Sequence, residues 1–357
     1  MIILDRAAAT RLKGLAITAI VFHNFFHLIF SKTRENEINF ATRRFKYFLT
    51  DFATTPAEWI QSVFAYFGHF GVQVFIFLAA YGLTISYPDA GLRSGFLLSR
   101  IKKLFPIIVM SILSWILLMG LVRAGIPGPL GMLEKHFKDI MLLLLGLYTV
   151  VPGNAYPMVG PWWFIPFIVQ FYFCWALAGK FITGASRNAL LVMIMAGVFI
   201  NYTLTPFVES NLAVNLLLTP MGHLPEIFLG VYFARYGVST SLLLMFSSLA
   251  GLVLSGIYHW MWPIHHLSAL VVFLILAVRF RIGQGGWFGQ RVHWLGRYSL
   301  PIFLVNGFLR GPFVTAANEA KMWGMDLAMG FSFFCFACLA AFLVERLANS
   351  VYPQPRE

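Results

Sequence analysis

Charge is what this chain has least of. Only 11% of its 357 residues are Asp, Glu, Lys or Arg, against 59% hydrophobic, and its mean hydropathy is +0.76. A water-soluble domain carries about 25% charged residues, so this composition excludes a soluble enzyme. Acidic residues are scarcest: 14 Asp and Glu stand against 26 Lys and Arg, a net charge of +12. That excess does not point to nucleic acid. In membrane proteins Lys and Arg gather in cytoplasmic loops and report topology.

Cysteine is nearly absent. Cys174, Cys335 and Cys338 all sit in apolar runs, which excludes a disulfide framework. The spacing of Cys335 and Cys338 resembles a C-x-x-C pair, but no second pair or His ligand accompanies it. They read as small hydrophobes on a helix, and no metal is expected. There is no internal repeat of clear period, so an inverted-repeat transporter gains no support. The first apolar run is too long for a cleavable leader and lacks a small-x-small cleavage site, so the first helix is expected to be retained. Almost no stretch remains for a separate soluble domain, and residues 1–357 read as one membrane domain.

What is present are apolar runs of membrane length, about 20 residues each. Ten spans are expected, at 12–31, 59–87, 104–124, 161–180, 188–207, 214–234, 240–260, 264–280, 298–316 and 327–346. The fold class is therefore all-α: a polytopic integral membrane protein of about ten transmembrane helices. The run at 59–87 is too long for one straight crossing, and its first part reads as a surface or re-entrant turn. The run at 138–152 is a re-entrant helix or an eleventh span. If it does not cross, and the N-terminus is inside, 16 of the 26 Lys and Arg face the cytoplasm, Arg93 and Arg356 among them. If it crosses, Arg279 to Arg297 move outside, against the positive-inside rule. Both termini are accordingly expected inside, with the loop at 32–57 outside as an interfacial helix, a lid or a plain loop.

Ionisable groups within the bilayer cost free energy unless they are paired or hydrated. They are His23, His27, His69, His223, Glu226 and Arg310. His259, His265 and His266 fall near span ends and are expected at the interface. The first run, "RLKGLAITAIVFHNFFHLIF" at residues 11–30, places His23 ~16 Å beyond Leu12 at the ~1.5 Å rise of a helix. His27 follows one turn later on the same face. Neutral imidazole can take up a proton near neutral pH, the property of a general base; the structural alternative is interhelical hydrogen bonding. In "SRIKKLFP", residues 99–106, the cations Arg100, Lys102 and Lys103 open a span; they anchor the helix or hold phosphates. In "GHLPEIFLG", the Glu226 carboxylate must be protonated, paired or facing a cavity; His223, three residues earlier, is a candidate partner, and a functional role and a structural pairing both stay open.

Several stretches, in this order, resemble the membrane-bound acyltransferase-3 family: "RLKGLAITAIVFHN", "FIFLAAYGLTISY", "SRIKKLFP", "GPWWFIPFIVQFYF", "PEIFLGVYFARYG" and "LGRYSLPIFLVNGF". The likeness covers nearly the whole chain. It implies an integral membrane O-acyltransferase that moves an acyl group, usually acetyl, from acyl-CoA to hydroxyls of a surface glycan or polysaccharide. It further implies a multi-pass protein of the bacterial cytoplasmic (inner) membrane. The family places a basic residue, ten residues and then His in the first span. Here nine residues separate Lys13 from His23 and eleven separate Arg11 from it, while Lys13-x10 lands on Asn24. A second family His is also Asn here, at Asn306, and the family Ser-Gly of the second span is Ala79-Ala80.

Carried over residue by residue, the resemblance implies that Arg11, Lys13, Arg100 and Lys103 receive the phosphates of acyl-CoA. His23 then acts as base or acyl carrier, with Glu226 or His27 orienting it and Asn24 and Asn306 binding the thioester oxygen. Tyr81, Trp162 and Trp163 offer aromatic surface to sugar rings. The expected partners are the lipid bilayer, the glycan acceptor, and a polysaccharide synthase or a separate extracytoplasmic transferase. The rival reading is a permease or exporter of a glycan or small solute that uses the same His and Glu as a proton relay. A non-catalytic partner of a polysaccharide synthase is a third.

Overall fold

In the computed structural model, residues 3–36, 38–87, 95–122, 128–154, 156–238, 240–281, 285–320 and 324–353 are described. Arg93 and Arg356, and the last two residues of the 104–124 run, lie outside them. Fifteen α-helices and no strand occur among the described residues. They are α1 (Arg6–Phe26), α2 (Thr42–Thr54), α3 (Trp59–Phe67), α4 (Gly71–Ser86), α5 (Phe96–Val122), α6 (Gly128–Leu144), α7 (Phe164–Gly184) and α8 (Arg187–Leu212), followed by α9 (Leu224–Tyr236), α10 (Leu242–Ile257), α11 (His265–Arg279), α12 (Gly286–Arg297), α13 (Ser299–Leu309), α14 (Gly311–Ala320) and α15 (Met325–Val351).

Local chemistry sets the helix ends. The Asp5 carboxylate opens α1 by accepting from the Ala8 N–H at 2.6 Å, and Ser186 opens α8 in the same way through Ala189. At the end of α9, Gly237 turns the chain at φ 81°, a conformation that costs glycine little.

Among the described residues, six helical stretches are long and apolar enough to cross a membrane: Pro56–Ser86, Phe96–Val122, Gly160–Gly184, Arg187–Leu212, His259–Arg279 and Met325–Val351. The pair α13 and α14, bent by 54° at Arg310, makes a seventh if counted as one span. Ten were expected from the sequence, and the difference lies in three places. The first helix runs over 6–26 rather than 12–31, and its N-terminal half carries Arg6, Arg11 and Lys13. The run 214–234 is broken by 3-10 turns at Leu216–Leu218 and Pro220–His223, which leaves α9 only 13 residues. The helix α10 has 16 residues, about 24 Å at 1.5 Å each.

The long run at 59–87 belongs to one continuous helical stretch, Pro56–Ser86, in which the 3-10 turn Gly68–Phe70 separates α3 from α4. In the run at 138–152 only 138–144 is helical, as the end of α6, which starts ten residues earlier and carries Glu134, Lys135, Lys138 and Asp139; a turn and the 3-10 stretch Tyr148–Val150 follow. The helix α6 lies along α5 and α7.

The helix α1 is the axis of the bundle. It packs on α3, α4, α12, α13 and α15 and buries Ala16, Ile17, Ile20, Val21, Phe25 and Phe26. Small residues let the backbones close. A Cβ on Gly14 would strike the Val292 carbonyl, and one on Gly296 would strike the Thr10 carbonyl, so α1 and α12 meet nearly backbone to backbone. Burial separates centre from rim: 72% of the apolar window of Pro56–Ser86 is buried, against 17% in α8. On the rim, stripes such as Phe173, Leu177 and Phe181 on α7 and Leu339, Leu343 and Leu347 on α15 face outward. Such stripes suit a hydrocarbon solvent.

The loop at 32–57 is ordered as a cap. The helix α2 seats Phe45 and Phe48 on Tyr66, with ring centroids 5.5 and 4.9 Å apart. Lys32, its side chain fully enclosed, fastens the cap through Asp51 at 3.0 Å and Glu58 at 2.5 Å.

Candidate active site

The last turn of α1 gathers the polar residues singled out in the sequence. His23 is buried beneath the break between α3 and α4, where a Cβ on Gly68 would lie 2.5 Å from the Ala19 carbonyl oxygen and 2.7 Å from the His23 Cβ. Only glycine allows the turn to approach this closely. The His23 Nδ1 meets the Phe64 carbonyl at 3.3 Å. A carbonyl only accepts, so Nδ1 carries the proton and the lone pair of the ring is on Nε2. The His27 ring stacks on His23 at 4.5 Å and 6°, with its Nδ1 donating to the His23 carbonyl at 2.6 Å.

Across from His23, the Asn24 amide donates to the Asn306 Oδ1 at 2.6 Å. The Asn306 amide nitrogen is itself spent on the Ile302 and Phe303 carbonyls, at 3.2 and 2.6 Å. Arg310 follows one turn after Asn306, at the kink between α13 and α14, and its guanidinium donates to the Asn24 carbonyl at 3.0 Å. A cation is thus held beside the amide pair at the end of α1.

A second polar group adjoins the first. His69, in the 3-10 turn, lies 5.1 Å from His23 ring to ring. Neither of its nitrogens has a hydrogen-bond partner among the described residues, and the same holds for both amide atoms of Gln73, one turn along. Both side chains are buried. Unsatisfied buried polar groups are rare in proteins and call for water or a ligand. Beyond them are His265 and His266, whose rings contact Phe70 at 5.1 and 6.1 Å. Expected at the interface, both are buried instead. The 3-10 stretch His259–Ile264, which contains Pro263, turns the chain inward so that the first turn of α11 meets the interior. The Ser255 hydroxyl holds the His265 Nδ1 at 2.7 Å. His259 is exposed, against Phe40.

Glu226 does not join His23. Its carboxylate faces the His223 Nδ1 at 3.7 Å, and the ligand atoms of His223, Glu226 and His266 lie within 4.8 Å of one another. Of the residues matched to sugar binding, Trp162 and Trp163 are buried. The indole of Trp162 donates to the Leu304 carbonyl at 2.8 Å, and Trp163 stacks along His223. The Tyr81 hydroxyl is engaged at the far end of α4, bonded to the Leu4 backbone at 2.9 and 3.1 Å.

The cations matched to acyl-CoA binding lie on α1 and α5. Arg11 lines an open pocket of about 350 Å³ with Gly285, Gly286, Gly289, Gln290 and His293. Arg100 lies 5.5, 5.5 and 5.9 Å from the ring centres of Tyr87, Phe96 and Tyr172 and donates to the Tyr87 hydroxyl at 3.2 Å. Lys103 is exposed on the same helix, and Lys13 is half-buried on α1.

The structure therefore unites His23, Asn24, His27 and Asn306, and adds His69 and Arg310, to which the sequence gave no role. Arg310 had a sequence signal, four residues after Asn306 on one helix face. His69 was marked only as an ionisable group within the bilayer, because the ring it meets, His23, lies 46 residues away on another helix and only packing brings the two together.

Residues 7–346 match the family described as Acyltransferase domain. No curated protein and no solved structure matches the chain. With nearly its whole length matched, the chain belongs to the acyltransferase-3 family of membrane proteins.

Proposed function

We propose that this membrane acyltransferase transfers an acyl group, acetyl in the first instance, from acyl-CoA to a hydroxyl of a surface glycan. The reading is supported above all by the His23 ring, held by the Phe64 carbonyl so that Nε2 is the basic nitrogen, beside buried polar atoms with no partner among the described residues.

Acyl-CoA would enter with its phosphates against Arg11, Lys13, Arg100 and Lys103. Those cations then face the cytoplasm of a bacterial inner membrane, with both termini inside. The thioester would reach the last turn of α1. There His23 Nε2 takes the proton of the acceptor hydroxyl as its oxygen attacks the thioester carbon. The carbon–sulfur bond breaks, and the proton passes to the departing CoA thiolate, so that ester and free CoA thiol balance the step. In the two-step variant Nε2 carries the acyl group between donor and acceptor. The oxyanion of the intermediate would meet Arg310 and the second N–H of Asn24, since the Asn306 amide is already committed. His27, stacked on His23, keeps its ring plane fixed. A polysaccharide synthase or a separate extracytoplasmic transferase would supply or receive the acceptor.

The test is His23→Ala, scored by base-labile acetate on the surface glycan and by consumption of labelled acetyl-CoA by the purified protein. A loss of at least about 100-fold is expected, the scale of a general base. Unchanged acylation at normal protein level refutes the role of His23. No acetyl-CoA consumption by wild-type protein, with acceptor-rich membranes supplied, would refute the enzyme and favour a permease.

A further inference from the structure

We infer that His223, Glu226 and His266 form a binding site for a divalent transition-metal cation of the zinc class, tying the start of α9 to the start of α11. The inference stands apart from the acyl-transfer chemistry, since it rests on a different group of side chains.

A backbone carbonyl fixes the tautomer of His223. Its Nε2 lies 2.9 Å from the Leu217 carbonyl, so Nε2 carries the proton and Nδ1 presents its lone pair. That lone pair faces the Glu226 Oε2 at 3.7 Å. Two acceptors thus confront each other, and neither has a hydrogen-bond partner among the described residues. Both are sealed from solvent: His223 is 0% exposed and Glu226 2%. A hydrogen bond between them would draw the atoms to about 2.7–3.2 Å. A tetrahedral cation with ligands at about 2.0–2.2 Å instead holds them about 3.4 Å apart, which the observed separation approaches. The third ligand comes from α11. The ligand atoms of His266 and the other two all lie within 4.8 Å of one another, and the two imidazoles are 6.0 Å apart, ring to ring.

The donor set and its surroundings agree with this class. Two imidazoles and one carboxylate are a common zinc set. A ligating His usually donates its second ring nitrogen to a carbonyl, which fixes ring and tautomer; the Leu217 carbonyl does this for His223. The turn that carries His223 is braced by Asn201, whose amide donates to the Gly222 carbonyl at 2.8 Å. Trp163 stacks along His223 and Phe167 meets it edge-on, at 6.2 and 5.5 Å, so the site has an apolar wall. A bare carboxylate in such a place costs several kcal/mol; a divalent cation removes that cost and unites two helix starts that sequence separates by 40 residues.

The experiment uses the full-length protein, purified in detergent through a histidine-free tag, stripped with chelator and titrated with Zn²⁺ and then Co²⁺. About one Zn²⁺ per chain is expected. Co²⁺ should give visible absorption bands of a nitrogen- and oxygen-ligated site, displaced by added Zn²⁺. His266→Ala and Glu226→Gln should each lower the bound metal at least tenfold. His265→Ala, whose ring is held by Ser255 outside the site, should keep it. Zn²⁺ binding and Co²⁺ bands in wild type no stronger than in the His223→Ala/Glu226→Gln/His266→Ala variant would overturn the inference. The wild-type Co²⁺ spectrum decides even if the variants fail to fold, because absence of the bands is itself a refutation. Full metal content in His266→Ala would equally refute it.

Discussion

Gly68→Ala tests the link between packing and chemistry most directly. The added Cβ would lie 2.5 Å from the Ala19 oxygen and 2.7 Å from the His23 Cβ, where ordinary contact begins at 3.4 Å. The turn must therefore withdraw from α1 by 3.4 − 2.5 = 0.9 Å, and from the His23 side chain by 3.4 − 2.7 = 0.7 Å. The Phe64 carbonyl, four residues earlier on α3, moves with it, and its 3.3 Å contact to His23 Nδ1 opens beyond hydrogen-bonding range. Overpacking of this kind costs about 1–3 kcal/mol of stability, while a misplacement near 1 Å costs about 100-fold in rate. The matched variant is Gly71→Ala, whose Cβ would meet the Ala16 oxygen at 2.5 Å and Ile20 at 2.8 Å, with His23 not among its nearest neighbours. Gly82→Ala, with nothing within 4 Å, is the neutral control. Thermal denaturation in detergent and acetyl-CoA turnover are measured on all three. The expected pattern is similar destabilisation of Gly68→Ala and Gly71→Ala, with turnover lost in the first and largely kept in the second. Equal turnover in the two, at equal loss of stability, would refute the claim that the turn positions His23.

Three further outcomes follow from the geometry. Lys32→Met should loosen the cap. Its partners Asp51 and Glu58 keep 12% and 25% exposure and regain water, so the cost is about 1.5–3 kcal/mol rather than that of a sealed pair. Faster tryptic cleavage at Arg43, Arg44 and Lys46 reads it, and unchanged cleavage contradicts it. Asn24→Ala and Asn306→Ala should be non-additive in stability by about 0.5–1.5 kcal/mol, the range of interhelical hydrogen bonds in membranes; strict additivity in a double-mutant cycle would show that the 2.6 Å bond is not formed. Arg100→Leu should raise the KM for acyl-CoA about tenfold, or ~1.4 kcal/mol, with little change in kcat. An unchanged KM removes Arg100 from the donor site.

Much of the architecture was legible because a membrane simplifies the problem. With no water to satisfy the backbone, apolar runs can only be helices, and α5, α7, α8, α11 and α15 are found where hydropathy puts them. Helices whose runs contain polar or turn-forming residues were misread. In 214–234, Pro220 and Pro225 divide what looks like one span into two 3-10 turns and a short helix. The charged start of α1 likewise belongs to the helix, because α12 packs against it.

Periodicity within one helix also carried part of the site: His23 and His27, and Asn306 and Arg310, are each one turn apart. The sequence by itself therefore determined the solvent, the helical class and the family, and offered His23 as a candidate base. Tertiary structure alone decided which polar groups meet: His69 against His23, Asn24 against Asn306, and His266 against His223 and Glu226. The reason is physical. Hydropathy and helical spacing act over one or two turns, whereas these pairings join helices 40 to 282 residues apart. They exist because small residues let particular backbones close on one another, and because a buried polar atom in hydrocarbon must find its partner on whichever helix that closure brings near.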